Sequence, residues 1–192
     1  MTLRLLLAAS AGLALTLGGC NQADDTAAND MAAANDVTAN DAANDMSTAA
    51  APLPTDEFIA AAAASDMYEI EAGRLAAAQG STDAIKQFGT MLQTDHKSST
   101  EQLKAAVAET PSTMPVPEMT AEQQGMLDTL KAASGAEFDR AFLAQQVQAH
   151  QKALDMLNGY AAGGEAEPLK QFATKVAPVV QSHLDKARSM QQ

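Results

Sequence analysis

Tryptophan is missing from this chain, aromatic residues of all kinds make up 4% of it, and cysteine occurs once, at Cys20. A lone cysteine excludes an internal disulfide and a thiolate cluster. Basic residues are scarce too: 12 Lys and Arg face 24 Asp and Glu, a formal net charge of −12 that argues against nucleic acid or an anionic lipid surface as partner. The apolar stretch from Leu5 to Leu17 falls short of the roughly 20 residues that span a bilayer as a helix. No Gly-x-Ser-x-Gly elbow and no glycine-rich phosphate loop occurs, and the serines sit at helix caps or in polar runs. Nucleophilic hydrolysis and nucleotide chemistry are thereby unsupported, and no catalytic residue is assigned.

What is present at the start is the anatomy of a secretory signal over residues 1–19. Arg4 gives the positive end, Leu5 to Leu17 the apolar core, and Gly18-Gly19 the small residues before a cleavage point. Leu17-Gly18-Gly19-Cys20 resembles the lipobox of bacterial lipoproteins. That resemblance implies a chain cut before Cys20, acylated on its thiol, and held to the membrane through this N-terminal lipid. Asn21 in place of an acidic residue implies sorting to the outer membrane, so the expected location is the cell envelope, facing the periplasm. An envelope protein partner is not identified by any motif.

Residues 20–54 repeat Asn-Asp pairs among Ala and Thr, with no Lys or Arg. Such a composition buries too little apolar surface to offset the entropy of ordering. It reads as a solvated tether, with a root-mean-square span of roughly 30 Å for a flexible coil of this length.

Residues 55–192 have the length of one domain and a composition that favours helix. Gly80-Ser81 separates a first helix (about 55–79) from a second (about 82–109), which Pro111, Pro115 and Pro117 terminate. Thr120 with Gln123 and Ser134 with Glu137 both match a capping box, giving a short helix (about 121–133) before a long third one (about 135–160). Gly163-Gly164 then turns the chain into helix four, near whose start lies Pro168. The expectation is all-α: a four-helix bundle with a short extra helix between helices two and three.

Each long helix carries an apolar stripe, such as Ile85, Phe88, Leu92, Leu103 and Val107, or Leu169, Phe172, Val176, Val179, Val180 and Met190. All three histidines of the chain interrupt these stripes. His96 falls within the second, His150 joins Leu143, Val147, Leu154 and Leu157 on the third, and His183 lies on the fourth. Asp66 and Glu69 share the inner face of helix one, whereas Glu71 points outward. Heights counted at 1.5 Å per residue from the turns predict two polar layers: Asp66/Glu69, His96 and His150 at mid-height, and Asp139 with His183 nearer an end.

Two chemistries fit such layers. Each imidazole can donate to a carboxylate and fix helix register. Alternatively Asp66, Glu69, His96 and His150, with Asp95 assisting, hold a divalent transition metal: iron, manganese, zinc or copper. The Glu-x-x-His pairs of di-iron proteins are absent, since Gln93 precedes His96 and Val180 precedes His183.

Phe58 through Glu69, the stretch Phe88-Gly89-Thr90-Met91-Leu92-Gln93-Thr94-Asp95-His96, Ser134-Gly135-Ala136-Glu137-Phe138-Asp139-Arg140, Ala149-His150, and Pro178 with His183-Leu184 resemble the bacterial envelope family known as domain of unknown function 4142. The resemblance implies a ferritin-like helical fold in a periplasmic or outer-membrane lipoprotein of unestablished role. Three functions follow, in order of preference: a non-enzymatic, stress-related envelope interaction protein; a metal-binding, redox-active ferritin-like protein; and a histidine-based pH sensor.

Overall fold

The computed structural model describes residues 52–192. The signal segment, Cys20 and all but the last three residues of the 20–54 tether lie outside the described residues. Five helices follow in order: α1 (Thr55–Gln79), α2 (Asp83–Ala108), α3 (Ala121–Ala132), α4 (Gly135–Gly163) and α5 (Glu167–Met190). No strand occurs among the described residues, so the all-α expectation holds. The helix ends fall within three residues of the expected ones.

Local chemistry explains most of the boundaries. The Thr82 hydroxyl accepts from Ile85 N at 3.2 Å to open α2. At α3 the capping box is complete: Thr120 Oγ1 accepts from Gln123 N at 3.2 Å, and Gln123 Oε1 accepts from Thr120 N at 2.8 Å. The second expected box does not form, because Ser134 makes no side-chain cap. Gly135, the first residue of α4, has φ +57°, a left-handed entry available cheaply only to glycine.

The four long helices pair as two antiparallel hairpins, α1 with α2 and α4 with α5, which close on each other through α2 against α5 and α1 against α4. α3 lies across α1 and α4. Where α1 crosses α2, the backbones touch. A Cβ on Gly73 would stand 2.6 Å from the Gly89 carbonyl oxygen, and one on Gly89 would stand 2.5 Å from that of Gly73.

Two apolar clusters fill the interior. One gathers Phe58, Ile59, Leu103, Leu157, Tyr160 and Phe172, with Phe58 and Tyr160 stacked at 3.9 Å between ring centroids. The other gathers Tyr68, Ile85, Phe88, Leu92, Phe138 and Phe142. Val179, expected on the inner stripe of α5, is 42% exposed; it neighbours Pro178, which also faces solvent. Along α2 and α4 the two clusters are separated by a polar stretch: His96 lies between Leu92 and Leu103, and His150 between Leu143 and Leu154.

Candidate metal centre

The glycine crossing positions the first half of the layer. Asp66 lies seven residues before Gly73 and His96 seven after Gly89, close to two full turns along each of two antiparallel helices. Both side chains therefore stand at about one height and face the partner helix. His96 Nδ1 donates to Asp66 Oδ1 at 2.8 Å, with both residues buried. Thr100 Oγ1 lies 3.1 Å from Asp66 Oδ2 and 3.0 Å from the His96 carbonyl oxygen, and its one proton serves either acceptor.

The second half departs from expectation. His183 does not form an outer layer with Asp139 but joins His96 and His150, and one nitrogen from each of the three buried rings lies within 4.8 Å of the others. The ring centroids are 5.3 to 5.6 Å apart. The reason lies in the α4–α5 turn and in side-chain direction. Counted from the middle of that turn, His150 and His183 differ by about three residues, or roughly 4.5 Å of height, while Asp139 stands about eight residues beyond His183. Side chains lean toward their helix N-terminus, so His150 leans away from the turn and His183 toward it, closing the gap. Asp139 leans further off. It accepts instead from Ser81 N at 3.0 Å and from the Ser81 hydroxyl, tying α4 to the α1–α2 turn.

Asp95, expected to assist the metal-holding set, stands behind His183: His183 Nε2 donates to Asp95 Oδ2 at 2.9 Å. His150 Nδ1 donates to the Gln146 backbone carbonyl at 3.0 Å, with Glu69 Oε1 at 3.6 Å. The carboxylates thus stand behind the rings, and the group of mutually close ligand atoms among the described residues is all imidazole. Gln146, fully buried one turn before His150, escaped the sequence reading. A glutamine four residues before a core histidine on an apolar stripe was the available signal.

These outer contacts fix the state of each ring. A nitrogen facing a carboxylate or carbonyl must carry the hydrogen, which leaves the other nitrogen of a neutral imidazole bare. The bare atoms are His96 Nε2, His150 Nε2 and His183 Nδ1. His96 Nε2 has no hydrogen-bond partner among the described residues. The remaining two face each other at 3.3 Å as lone pair to lone pair. That contact needs a proton or a cation between its atoms.

Electrostatics disfavour the proton there. Burial, followed by the charge of His96 and then His183, pushes the pKa of His150 well below its ordinary value. His183 is lowered as well, chiefly by burial, against the raising effect of Asp95. His96 goes the other way: burial lowers it, but the bond to Asp66 and the charges of Glu69, Asp66 and Asp95 together raise it. Burial lifts Glu69 to about 7, opposed by His96 and Gln146. Neither amide atom of Gln146 has a properly aligned partner, and Glu69 Oε2 has none.

The donor set fits a first-row divalent ion. Nitrogens about a tetrahedral ion with bonds of about 2.1 Å stand roughly 3.4 Å apart; the His150–His183 pair meets this at 3.3 Å, and His96, in a trio spread over up to 4.8 Å, has to close in by about 1 Å around an ion. Each ligating imidazole should be backed by a carboxylate or carbonyl on its other nitrogen, and all three are. The model of a family described as Domain of unknown function (DUF4142) matches residues 37–190, beginning inside the segment read as tether. Neither a curated protein nor a solved structure matches the chain.

Proposed function

The chain belongs to the DUF4142 family, and because that membership assigns no reaction we propose its function from the site: it binds a divalent transition metal through His96, His150 and His183. The observation that carries this reading is the pair of bare nitrogens, His150 Nε2 and His183 Nδ1, held face to face at 3.3 Å by fixed outer partners. Asp66 and Asp95 supply two negative charges behind the rings, so a doubly charged ion leaves the layer near neutrality. Imidazole donors suit zinc, copper, iron and nickel better than calcium or magnesium.

The four long helices are taken as a ferritin-like bundle, supported by their closed packing order α1, α2, α5, α4. The ligand set differs from the carboxylate-rich di-iron pattern, which supports a single ion over an iron store. Leu17-Gly18-Gly19-Cys20 supports a lipoprotein and Asn21 its sorting to the outer membrane, where the domain would face the periplasm on its tether. Among the described residues no helix is long and apolar enough to cross a membrane. The interaction role ranked first from sequence is compatible with this centre.

Calorimetric titration of the tag-free protein with zinc, copper and ferrous ion tests the proposal. One ion per chain is expected for at least one metal, and none with His150→Leu. Uptake that survives His150→Leu unchanged would move the ion elsewhere.

A further inference from the structure

We infer that a small cavity between α2 and α5 is the port of this centre, and that it admits a small, neutral, protic ligand to an open position on the ion. The inference rests on the metal reading above. The cavity measures about 80 Å³ and is lined by Asp95, His96, Ser99, Gln102, Val179 and His183 among others. It reaches two of the three rings and not His150, so it opens on one side of the trio. Three protein nitrogens leave a fourth tetrahedral position free, the arrangement by which metal centres take an exogenous ligand.

Three features set the class of that ligand. Size comes first: the space holds only a few water-sized units, which excludes a bulky organic ligand. Charge comes second, because the Asp95 side chain is 38% exposed while bound to His183, placing a carboxylate at the boundary between solvent and ring. An anion entering past it is repelled. Hydrogen bonding comes third. Gln102 Oε1 is a buried acceptor without a partner, and His96 Nε2 is a buried bare nitrogen without one. A molecule carrying both a donor hydrogen and a lone pair, in the chemical class of hydrogen peroxide or hydroxylamine, satisfies the first and leaves the second to the ion. The step is ligand addition, with no bond broken and no electron transferred.

The test uses the full chain loaded with cobalt(II), whose visible bands report coordination, and two probes of similar size: neutral hydroxylamine and anionic azide. Hydroxylamine should shift the bands at lower concentration than azide. Asp95→Asn keeps an acceptor for His183 while removing the charge, and should narrow the preference by about tenfold, the scale of one charge interaction in a partly exposed site. Val179→Trp, at an exposed position on the cavity wall, should abolish the response to both probes and leave the cobalt bands themselves unchanged. Cobalt uptake with no response to either probe, or a response indifferent to Val179→Trp, would overturn the port alone. A preference that Asp95→Asn leaves untouched would overturn the charge argument on which its ligand class depends. Absence of cobalt uptake would sink the metal reading and the port with it.

Discussion

The polar layer and the apolar clusters that flank it are built on the same helices, yet they are satisfied in opposite ways. Around Phe138 and Phe142, whose rings stack at 5.9 Å between centroids, the buried side chains are apolar and leave no polar atom to satisfy. Around His150, four buried polar atoms, Glu69 Oε2, His96 Nε2 and both amide atoms of Gln146, have no partner. Each such atom costs about 1–3 kcal/mol relative to a satisfied one. The contrast places stability in the flanking clusters and function in the middle.

Two substitutions separate these roles most sharply. Phe138→Ala should lower the unfolding free energy by about 3–5 kcal/mol through the cavity it leaves, while the folded fraction still binds one ion. His150→Leu should do the reverse. Removing His150 relieves its contact with the bare His183 nitrogen but leaves Glu69 facing an apolar side chain, so the metal-free protein should lose about 1–3 kcal/mol, less than the phenylalanine variant, and lose all stabilisation by metal, about 4 kcal/mol at a thousandfold excess over Kd. Denaturant titrations with and without metal measure both. Equal losses in the two variants without metal would erase the distinction.

Gly89→Ala tests how the halves of the layer are held together. The added Cβ meets the Gly73 backbone carbonyl, which cannot swing aside as a side chain does, so α1 and α2 must move apart. A loss of about 1–3 kcal/mol is expected. Weaker metal binding should accompany it, since Asp66 orients His96 across the same interface.

The helices and the inward histidines were legible in the sequence because both follow from periodicity, which survives errors of one or two residues. Asp66 meeting His96 was legible for the same reason: their distances to a tight turn nearly match. The partner of His183 was not. Its height depended on where the α4–α5 turn is centred, and on the opposite lean of side chains on antiparallel helices, neither of which a residue count from Gly163 includes. The role of Asp95 was hidden because a residue adjacent to His96 on α2 points about 100° away from it, toward a helix that the sequence does not place. Gln146 was hidden by being a glutamine, a residue read as solvated unless something else says it is buried.

Acidity should act on the layer and spare the clusters. In the metal-free protein His150 and His183 have lowered pKa values, so the unfolded chain binds more protons than the folded one once pH falls below about 6.5, and stability is lost on acidification. Glu69, raised from 4.5 to about 7, and His96, raised from 6.5, bind protons more readily when folded; the contribution of Glu69 is lost as pH rises from 4.5 to about 7, and that of His96 as pH rises above 6.5. Metal-free stability should therefore peak near pH 6.5. From there toward pH 5 the two histidines act against Glu69, and stability falls. Thermal melts across pH 5 to 8 give the profile, and a flat one would mean that the rings are not buried neutral.

The smallest effect belongs to Asp139. Its bonds to Ser81 lie at the edge of the fold, so Asp139→Ala should cost about 0.5–1.5 kcal/mol and leave metal affinity unchanged. A marked loss of metal affinity would restore the outer layer that the sequence suggested.

X-ray absorption at the edge of the bound metal tests the central claim most directly. Three imidazole nitrogens at about 2.0–2.1 Å are predicted for a zinc-loaded sample of the parent, and no retained zinc for His150→Leu loaded in the same way. A shell made of carboxylate and water oxygens, or an ion held identically in both proteins, would contradict it.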